Sequence, residues 1–246
     1  MKKRNCSSIQ HCKVKDIWNA HLVEGAQWTE SENPVVKTTA LAAPTNVISY
    51  KDARTIYNLK IKQDHNFKID AFIHFYINDE EFDGKTGGIW AKPDKLFKIA
   101  SHFTGIIGPD FSIYADFATP LKSIQIYKMR TIEFACAKRN IPVIVNARFG
   151  SPVTWSYTID ELPKNSMLAI GTVGSRLKYL ENKHCFNQGF KRLIDVKKPH
   201  TLIVVGSSNY PCFEIARKRG VRIIQFDGDT CKHFKQKSKE CYDKTR

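Results

Sequence analysis

Residues 201–228 read TLIVVGSSNYPCFEIARKRGVRIIQFDG, and this stretch decides the fold. Two short apolar runs rich in β-branched residues, at 201–205 and 221–226, flank a segment at 211–219 that is typical of a short helix closed by Gly220. Short runs of this kind are typical of strands that are buried on both faces of a sheet. The stretch therefore predicts a strand, a helix and a second, parallel strand.

The same alternation continues through most of the chain. Further strand-like runs lie at 46–50, 71–78, 105–114, 142–147 and 167–171, and helix-like segments lie at 51–60, 92–103, 120–139 and 177–194. A spacing of about 30 residues per unit fits a (β/α) barrel with an irregular or missing unit, or an open doubly wound sheet. We predict an α/β fold with a mainly parallel sheet of about seven βα units, and we favour the irregular, TIM-like barrel over the open sheet.

The composition limits the kind of protein this can be. The chain has 246 residues, 42% of them hydrophobic, and 39 Lys and Arg against 24 Asp and Glu, for a formal net charge of +15. Length and apolar content predict one α/β domain over residues 1–246, with basic appendages at about 1–43 and 229–246. The excess positive charge favours a nucleic acid, a phosphorylated small molecule or an acidic protein as the partner.

The sequence indicates a cytoplasmic protein. No stretch approaches the roughly 20 apolar residues of a membrane helix, and the charged start of the chain is not followed by an apolar run, so we expect neither a membrane partner nor a signal peptide. The 7 cysteines are an odd number scattered along the chain, which argues against a secreted disulfide framework.

Polar residues follow the predicted strands, where the loops of both architectures converge on one functional face. Asp110 is the strongest candidate acid or base, because an ionised carboxylate in an apolar run is costly unless it is paired or has a chemical task. Arg130, on the next helix, is a plausible partner, and the pair could equally be structural. His74 is a secondary catalytic candidate, since a lone His on an apolar strand is more often a core residue.

Two loops rich in Gly and Ser, at 171–176 and 206–209, join a strand to a predicted helix and could bind phosphate with backbone N–H groups. Arginine side chains at 148 and 176 could add bidentate contacts. The alternative is that these glycines serve only the turns. The phosphate-binding candidates are Ser112, Arg148, Gly171, Thr172, Gly174, Ser175, Arg176, Ser207 and Ser208.

Two metal sites are conceivable. The acidic run at 78–83 could bind a divalent cation, although without calcium-loop spacing it is more typical of a solvated loop. Cysteines near the two termini could form a zinc site if the termini meet, but their spacings are wider than those of zinc ribbons, so reduced cysteines are the default. The cysteines concerned are Cys6, Cys12, Cys231 and Cys241. The sequence specifies no cofactor.

The C-terminal appendage is lysine-rich and could follow a nucleic acid backbone. Its candidate contacts are Lys232, Lys235, Lys237 and Lys239. Lysine-rich tails can also serve only solubility.

The segment GPDFSIYADFATPLKSIQIYKMR at 108–130 resembles the family catalogued as domain of unknown function 4417, found largely in phages, plasmids and other mobile elements of bacteria. The acidic, aromatic segment at 74–90, the strand at 141–150 and the stretch at 155–174 ending in GT-x-G are also similar, so the resemblance covers about residues 70–206. It departs at Leu162, where the family tends to have Gly-Ile before the proline. The positions that the resemblance implies for a site are Asp110, Ser112, Arg130, Asn146, Arg148, Thr172 and Gly174.

The resemblance implies a mobile-element setting and no reaction. The function expected first is an α/β enzyme acting on a phosphorylated, nucleotide or nucleic-acid ligand at the carboxyl ends of the strands, with Asp110, Arg130, Asn146 and His74 as catalytic candidates. The alternatives are a non-catalytic DNA- or RNA-binding accessory protein and an inhibitor of host defence that binds a protein partner.

Overall fold

The computed structural model describes residues 14–229, which form one parallel β-sheet with helices between its strands. The seven strands lie side by side in chain order, and each pairs in parallel with the next. They are β1 (Val47–Ser49), β2 (Ile69–His74), β3 (Phe103–Ile107), β4 (Val143–Asn146), β5 (Met167–Gly171), β6 (Thr201–Val205) and β7 (Arg222–Phe226). The predicted α/β fold with seven parallel strands is confirmed.

The sheet curls into a half-barrel, as favoured from the sequence. All seven strands, from Val47 on β1 to Phe226 on β7, contribute side chains to one apolar cluster on the concave face. A segment at 38–43 covers the amino ends of β4 and β5. There, Thr38 Oγ1 donates a hydrogen bond to Met167 O at 2.6 Å, and the backbone N–H of Thr39 donates to Val143 O at 2.8 Å. This segment therefore closes the amino ends of these two strands and leaves their carboxyl ends uncovered.

The helices pack their apolar faces on the convex side of the sheet. They are α1 (Tyr50–Lys60), α2 (Asp79–Asp83), α3 (Pro93–Ala100), α4 (Thr119–Lys138), α5 (Trp155–Thr158), α6 (Leu180–Lys197) and α7 (Phe213–Lys218). Local signals set several ends: Ser49 caps α1 by accepting from the Asp52 N–H, and Pro93 occupies the first turn of α3. Beyond α4, Asn140 adopts a left-handed conformation at φ 59°.

Three predicted elements differ clearly from the structure. The strand predicted at 71–78 spans Ile69–His74 and so ends four residues early. The strand predicted at 105–114 ends at Ile107, because Gly108 and Pro109 lead the chain out of the sheet and across its carboxyl end. The acidic run expected as a solvated loop is instead helix α2. The carboxylates of this helix accept hydrogen bonds from neighbouring elements, which explains why so charged a segment is ordered against the sheet.

No helix between residues 14 and 229 is long and apolar enough to cross a membrane. The proposed nucleic-acid contacts and the proposed zinc ligands lie outside the residues that the structure describes. They are Lys232, Lys235, Lys237, Lys239, Cys6, Cys12, Cys231 and Cys241.

Candidate functional site

Two adjoining cavities open at the carboxyl ends of the strands, with volumes of about 730 and 480 Å³. They share a wall made of Asp110, Tyr114, Arg148, Gly174 and Arg176. We call the larger cavity the polar lobe, because Lys51, Asp52, Asp79, Glu81 and Asp229 line it. We call the smaller one the aromatic lobe, because Phe149, Phe186, Ile113 and Leu177 line it together with Tyr114. Volumes of this size suit small-molecule ligands.

Asp110 lies on the shared wall and is held at both carboxylate oxygens. Asn146 Nδ2 donates to Oδ1 at 2.9 Å, and Arg148 Nη1 donates to Oδ2 at 2.7 Å. The residue is 8% exposed. Burial raises the pKa of Asp110 above its ordinary value, while Arg148 and the hydrogen bond from Asn146 oppose the rise. A buried carboxyl with a raised pKa at the edge of a cavity is suited to exchange a proton with a ligand.

Asn146, at the end of β4, is fully engaged by its surroundings. Its Nδ2 also donates to Pro109 O at 2.8 Å, and its Oδ1 accepts from the Tyr76 hydroxyl at 3.0 Å. Burial raises the pKa of Tyr76 well above its ordinary value, so this phenol stays protonated and serves as the donor. Asn146 therefore acts in the structure as a positioning residue for Asp110.

The predicted pairing of Arg130 with Asp110 is wrong. Arg130 Nη1 lies 2.7 Å from Glu133 Oε2 and donates to Asn146 O at 3.0 Å, whereas the partner of Asp110 is Arg148. Arg130 and Glu133 are one turn apart on α4, so they meet behind β4 rather than in the cleft. Glu133 in turn accepts the backbone N–H of Asn146 at 2.8 Å. Arg130 lines neither cavity and supports the strand end from behind.

His74 also lies behind the cleft and is fully buried at the end of β2. Its Nδ1 accepts the backbone N–H of Tyr76 at 3.3 Å, and its Nε2 lies 3.7 Å from Asp229 Oδ1. The Tyr76 ring lies over Gly171, where a Cβ atom would collide with it. His74 therefore contacts two residues that line the polar lobe without lining that lobe itself.

The polar lobe is rich in carboxylates that already have protein partners. The N–H and Oγ of Ser112 donate to Asp79 at 2.9 and 2.8 Å, so this serine is occupied as an anchor for α2. Lys51 Nζ lies 2.6 Å from Glu81. Among residues 14–229, no group of three His, Cys, Asp or Glu side chains is arranged to hold a metal ion. The acidic run therefore forms the wall of the lobe.

The two Gly- and Ser-rich loops differ in their placement. Gly171, Gly174, Ser175 and Arg176 line the cleft, and Gly174 has a positive φ of 74°. Thr172 Oγ1 is turned toward the neighbouring loop and donates to Ser207 O at 3.0 Å.

The loop after β6 is engaged within the protein. The N–H and Oγ of Ser208 both donate to Gln225 Oε1, at 2.8 and 2.6 Å, and neither Ser207 nor Ser208 lines the cleft. Both loops join a strand to a helix as predicted, but α6 begins at Leu180 and α7 at Phe213, a few residues beyond the loops. An anion in the cleft would therefore meet the loop after β5 and the arginines.

Sequence reasoning missed Tyr76, Asp79 and Glu133, which hold the site together. For Glu133 a signal existed, since Arg130 and Glu133 have the i,i+3 spacing of a helical ion pair. The hydrogen bonds of Tyr76 to Asn146 and of Asp79 to Ser112 span 70 and 33 residues, and no local pattern marks such partners.

Comparisons with known proteins agree with the resemblance seen in the sequence. The model of the family "Domain of unknown function (DUF4417)" matches residues 29–227. The "Gene 1 protein" of Mycobacterium phage L5 is 25% identical over 150 residues, and that of Mycobacterium phage D29 is 25% identical over 138 residues. These matches cover 61% and 56% of this chain, and 63% and 49% of the relatives' own lengths. No solved structure matches the chain. The predicted family and its phage association are thus confirmed.

Proposed function

The chain belongs to the DUF4417 family, and from the geometry of its cleft we propose that it is an α/β enzyme that binds a phosphorylated ligand at the carboxyl ends of its strands. One observation carries the proposal: the buried carboxyl of Asp110, held at both oxygens, faces a cavity of about 730 Å³. A group that exchanges protons with a ligand must reach that ligand, and a perturbed carboxyl in a cleft marks a candidate functional site.

Arg148 and Arg176 are the proposed phosphate contacts. Only one nitrogen of Arg148 is committed to Asp110, and its side chain is 26% exposed. A guanidinium has five N–H donors, so Arg148 can hold Asp110 and a phosphate oxygen together. Arg176 is exposed on the same wall, in the loop whose Gly174 leaves the backbone open to a ligand. The wall thus offers two cations beside one proton-exchanging carboxyl.

Ligand binding and the protonation of Asp110 are coupled in this arrangement. A phosphate that attracts Arg148 weakens the interaction that favours the ionised carboxylate and adds a negative charge nearby. Both effects raise the pKa of Asp110 further. Ligand binding thus shifts Asp110 toward its protonated form, which is the form that can donate a proton to a leaving oxygen.

The first experiment is mass spectrometry of small molecules that co-purify with the native protein. We expect a phosphorylated compound that is lost in Arg176→Ala and kept in Arg222→Ala, because Arg222 is exposed on β7 away from the cleft. Asp110→Asn should keep the compound but fail to convert it on incubation. A protein that purifies empty and binds neither inorganic phosphate nor ribose 5-phosphate in calorimetry would contradict the proposal.

A second candidate function is nucleic-acid binding through the chain termini. Residues 1–13 and 230–246 hold ten Lys and Arg against two acids, so they carry +8 of the formal +15. Such a function predicts an affinity for single- or double-stranded DNA that falls steeply with salt. Removing residues 230–246 should flatten that slope, while Arg176→Ala should leave it unchanged. A flat salt response of the intact chain would exclude this function and turn attention to an acidic protein partner.

A further inference from the structure

The aromatic lobe extends beyond the shared wall of Asp110 and the two arginines, and it is a formed cavity of about 480 Å³. The rings of Phe149 and Phe186 lie 5.2 Å apart, centroid to centroid, and Phe186 stacks on Phe190 at 6.1 Å. Gly189 makes room for Phe149, since a Cβ there would collide with that ring. Helix α6 thus has a glycine at the position where any larger residue would prevent the Phe149 ring from packing beside the cavity.

The aromatic lobe lies next to the proposed phosphate contacts, because residues that are adjacent in the chain line both. After β4 comes Arg148 followed by Phe149, and after β5 comes Arg176 followed by Leu177. In both pairs the arginine lies on the shared wall and the next residue lines the aromatic lobe. Two separate loops therefore place a cation next to an apolar surface, and the matching ligand has an anionic group next to an apolar ring.

The lobe also has a polar edge. Ser151, Ser175 and Asn182 line it, and these side chains offer both donors and acceptors. Tyr114 lies on the shared wall and is 55% exposed, and its ring packs against Phe117 at 5.1 Å between centroids, so the exposed part of the ring can contact a bound ligand. An aliphatic chain would gain nothing from the polar edge, whereas a flat heterocycle with hydrogen-bonding atoms on its rim would use both surfaces.

The polar lobe limits how many phosphates the ligand carries. Asp52, Asp79, Glu81 and Asp229 line it against the single ammonium group of Lys51. Further phosphates that extended from the shared wall into this lobe would meet like charges. A ligand with one phosphate, held at the wall, avoids this repulsion.

We propose that the aromatic lobe is a nucleobase subsite and that the ligand is a nucleoside monophosphate, with its phosphate on Arg148 and Arg176. The phosphate position rests on the function proposed above; the base position rests on the lobe alone. Stacking on aromatic side chains provides affinity for any base, and the polar edge selects among bases.

Calorimetry with AMP, GMP, CMP, UMP and ribose 5-phosphate tests the subsite. We expect at least one nucleotide to bind about tenfold or more tightly than ribose 5-phosphate, and more tightly than its own triphosphate. Phe186→Leu should remove most of that advantage and leave the affinity for ribose 5-phosphate unchanged. Tyr114→Ala should lower the affinity for the nucleotide by a larger factor than the affinity for ribose 5-phosphate. Phe134→Leu is the matched control, because Phe134 is a partly buried phenylalanine of α4 that lines neither lobe. Tyr114 is exposed, so its variant remains informative even if Phe186→Leu does not fold.

The possible outcomes separate the two proposals. Nucleotides that bind no better than ribose 5-phosphate would overturn the base subsite and leave the phosphate site standing. A second outcome is that a nucleoside binds as tightly as its monophosphate and loses affinity in Tyr114→Ala. This result would support the base subsite and contradict the phosphate contacts. No binding of nucleosides, nucleotides or ribose 5-phosphate would overturn both.

Discussion

Asn146 Nδ2 lies 2.9 Å from Asp110 Oδ1 and donates a hydrogen bond to it, while the same nitrogen donates to Pro109 O at 2.8 Å. A carbonyl oxygen only accepts hydrogen bonds. Exchanging the positions of Nδ2 and Oδ1 of Asn146 would therefore break the hydrogen bond to Pro109 O. The Tyr76 hydroxyl occupies the amide oxygen on the other side. Asn146, the last residue of β4, thus fixes the position of Oδ1 in the candidate catalytic carboxyl of Asp110.

Asn146→Asp should lower the stability of the protein strongly, although the two side chains have almost the same size. The new carboxylate has no N–H to donate, and it places a second negative charge against Asp110 in a buried position. We expect the free energy of unfolding to fall by about 3 kcal/mol at pH 7. The loss should be smaller at pH 5, because two adjacent carboxyls can share a proton. Urea denaturation at both pH values measures this, with the exposed Asn182→Asp as control. Equal small losses in both variants would refute the role of Asn146.

The buried Arg130–Glu133 pair should show strong coupling. Arg130→Met leaves the Glu133 carboxylate buried without its cation, and we expect a loss of about 3–5 kcal/mol. Adding Glu133→Gln should recover part of that loss, because it removes the stranded charge. A double-mutant cycle by chemical denaturation measures the coupling.

The Glu214–Arg217 pair on α7 is a matched comparison, since it has the same i,i+3 spacing on an exposed surface. A double-mutant cycle on this exposed pair should give a coupling energy of about 0.5 kcal/mol or less. Similar coupling energies for the two pairs would mean that burial of Arg130 and Glu133 adds nothing to their interaction.

The fold could be predicted from the sequence because its signals are local. Apolar runs such as 167–171 and 201–205 match β5 and β6 residue for residue, since a strand buried on both faces needs no partner to be recognised. The prediction of a strand over 105–114 was wrong for the opposite reason. Its β-branched and aromatic residues continue past Ile107, but they pack in a loop over the strand ends.

The convergence of these loops on one cleft could be predicted as well, whereas the pairings within it could not. Asp110, Arg148 and Arg176 line one cleft because parallel strands bring their following loops together. Which arginine reaches Asp110 depends on the path of α4, and sequence reasoning selected Arg130 where the structure uses Arg148. Contacts such as that between Tyr76 and Asn146 join elements 70 residues apart, so tertiary structure alone reveals them.

Gly171→Ala should disturb the cleft by displacing Tyr76. A Cβ at this position collides with the Tyr76 ring, so the ring must move and its hydrogen bond to Asn146 must weaken. We expect a loss of about 1–3 kcal/mol in the free energy of unfolding and weaker ligand binding. Gly87→Ala is the control, because nothing lies within 4 Å of its added methyl group. Thermal denaturation that does not distinguish the two variants would show that the ring has room to move.

Asp110→Asn should change how stability depends on pH. The pKa of Asp110 is raised in the folded protein above its ordinary value of 3.8, chiefly by burial. The folded state therefore binds this proton more tightly than the unfolded state, and the contribution of Asp110 to stability falls as the pH rises from about 4 through the raised pKa. Asparagine has no such proton, so the variant should gain stability relative to the wild type over that range. The difference between their unfolding free energies in urea, measured from pH 4 to 7.5, isolates this one group. A difference that moves the other way would mean that Arg148 and Asn146 outweigh burial and hold the pKa of Asp110 below 3.8.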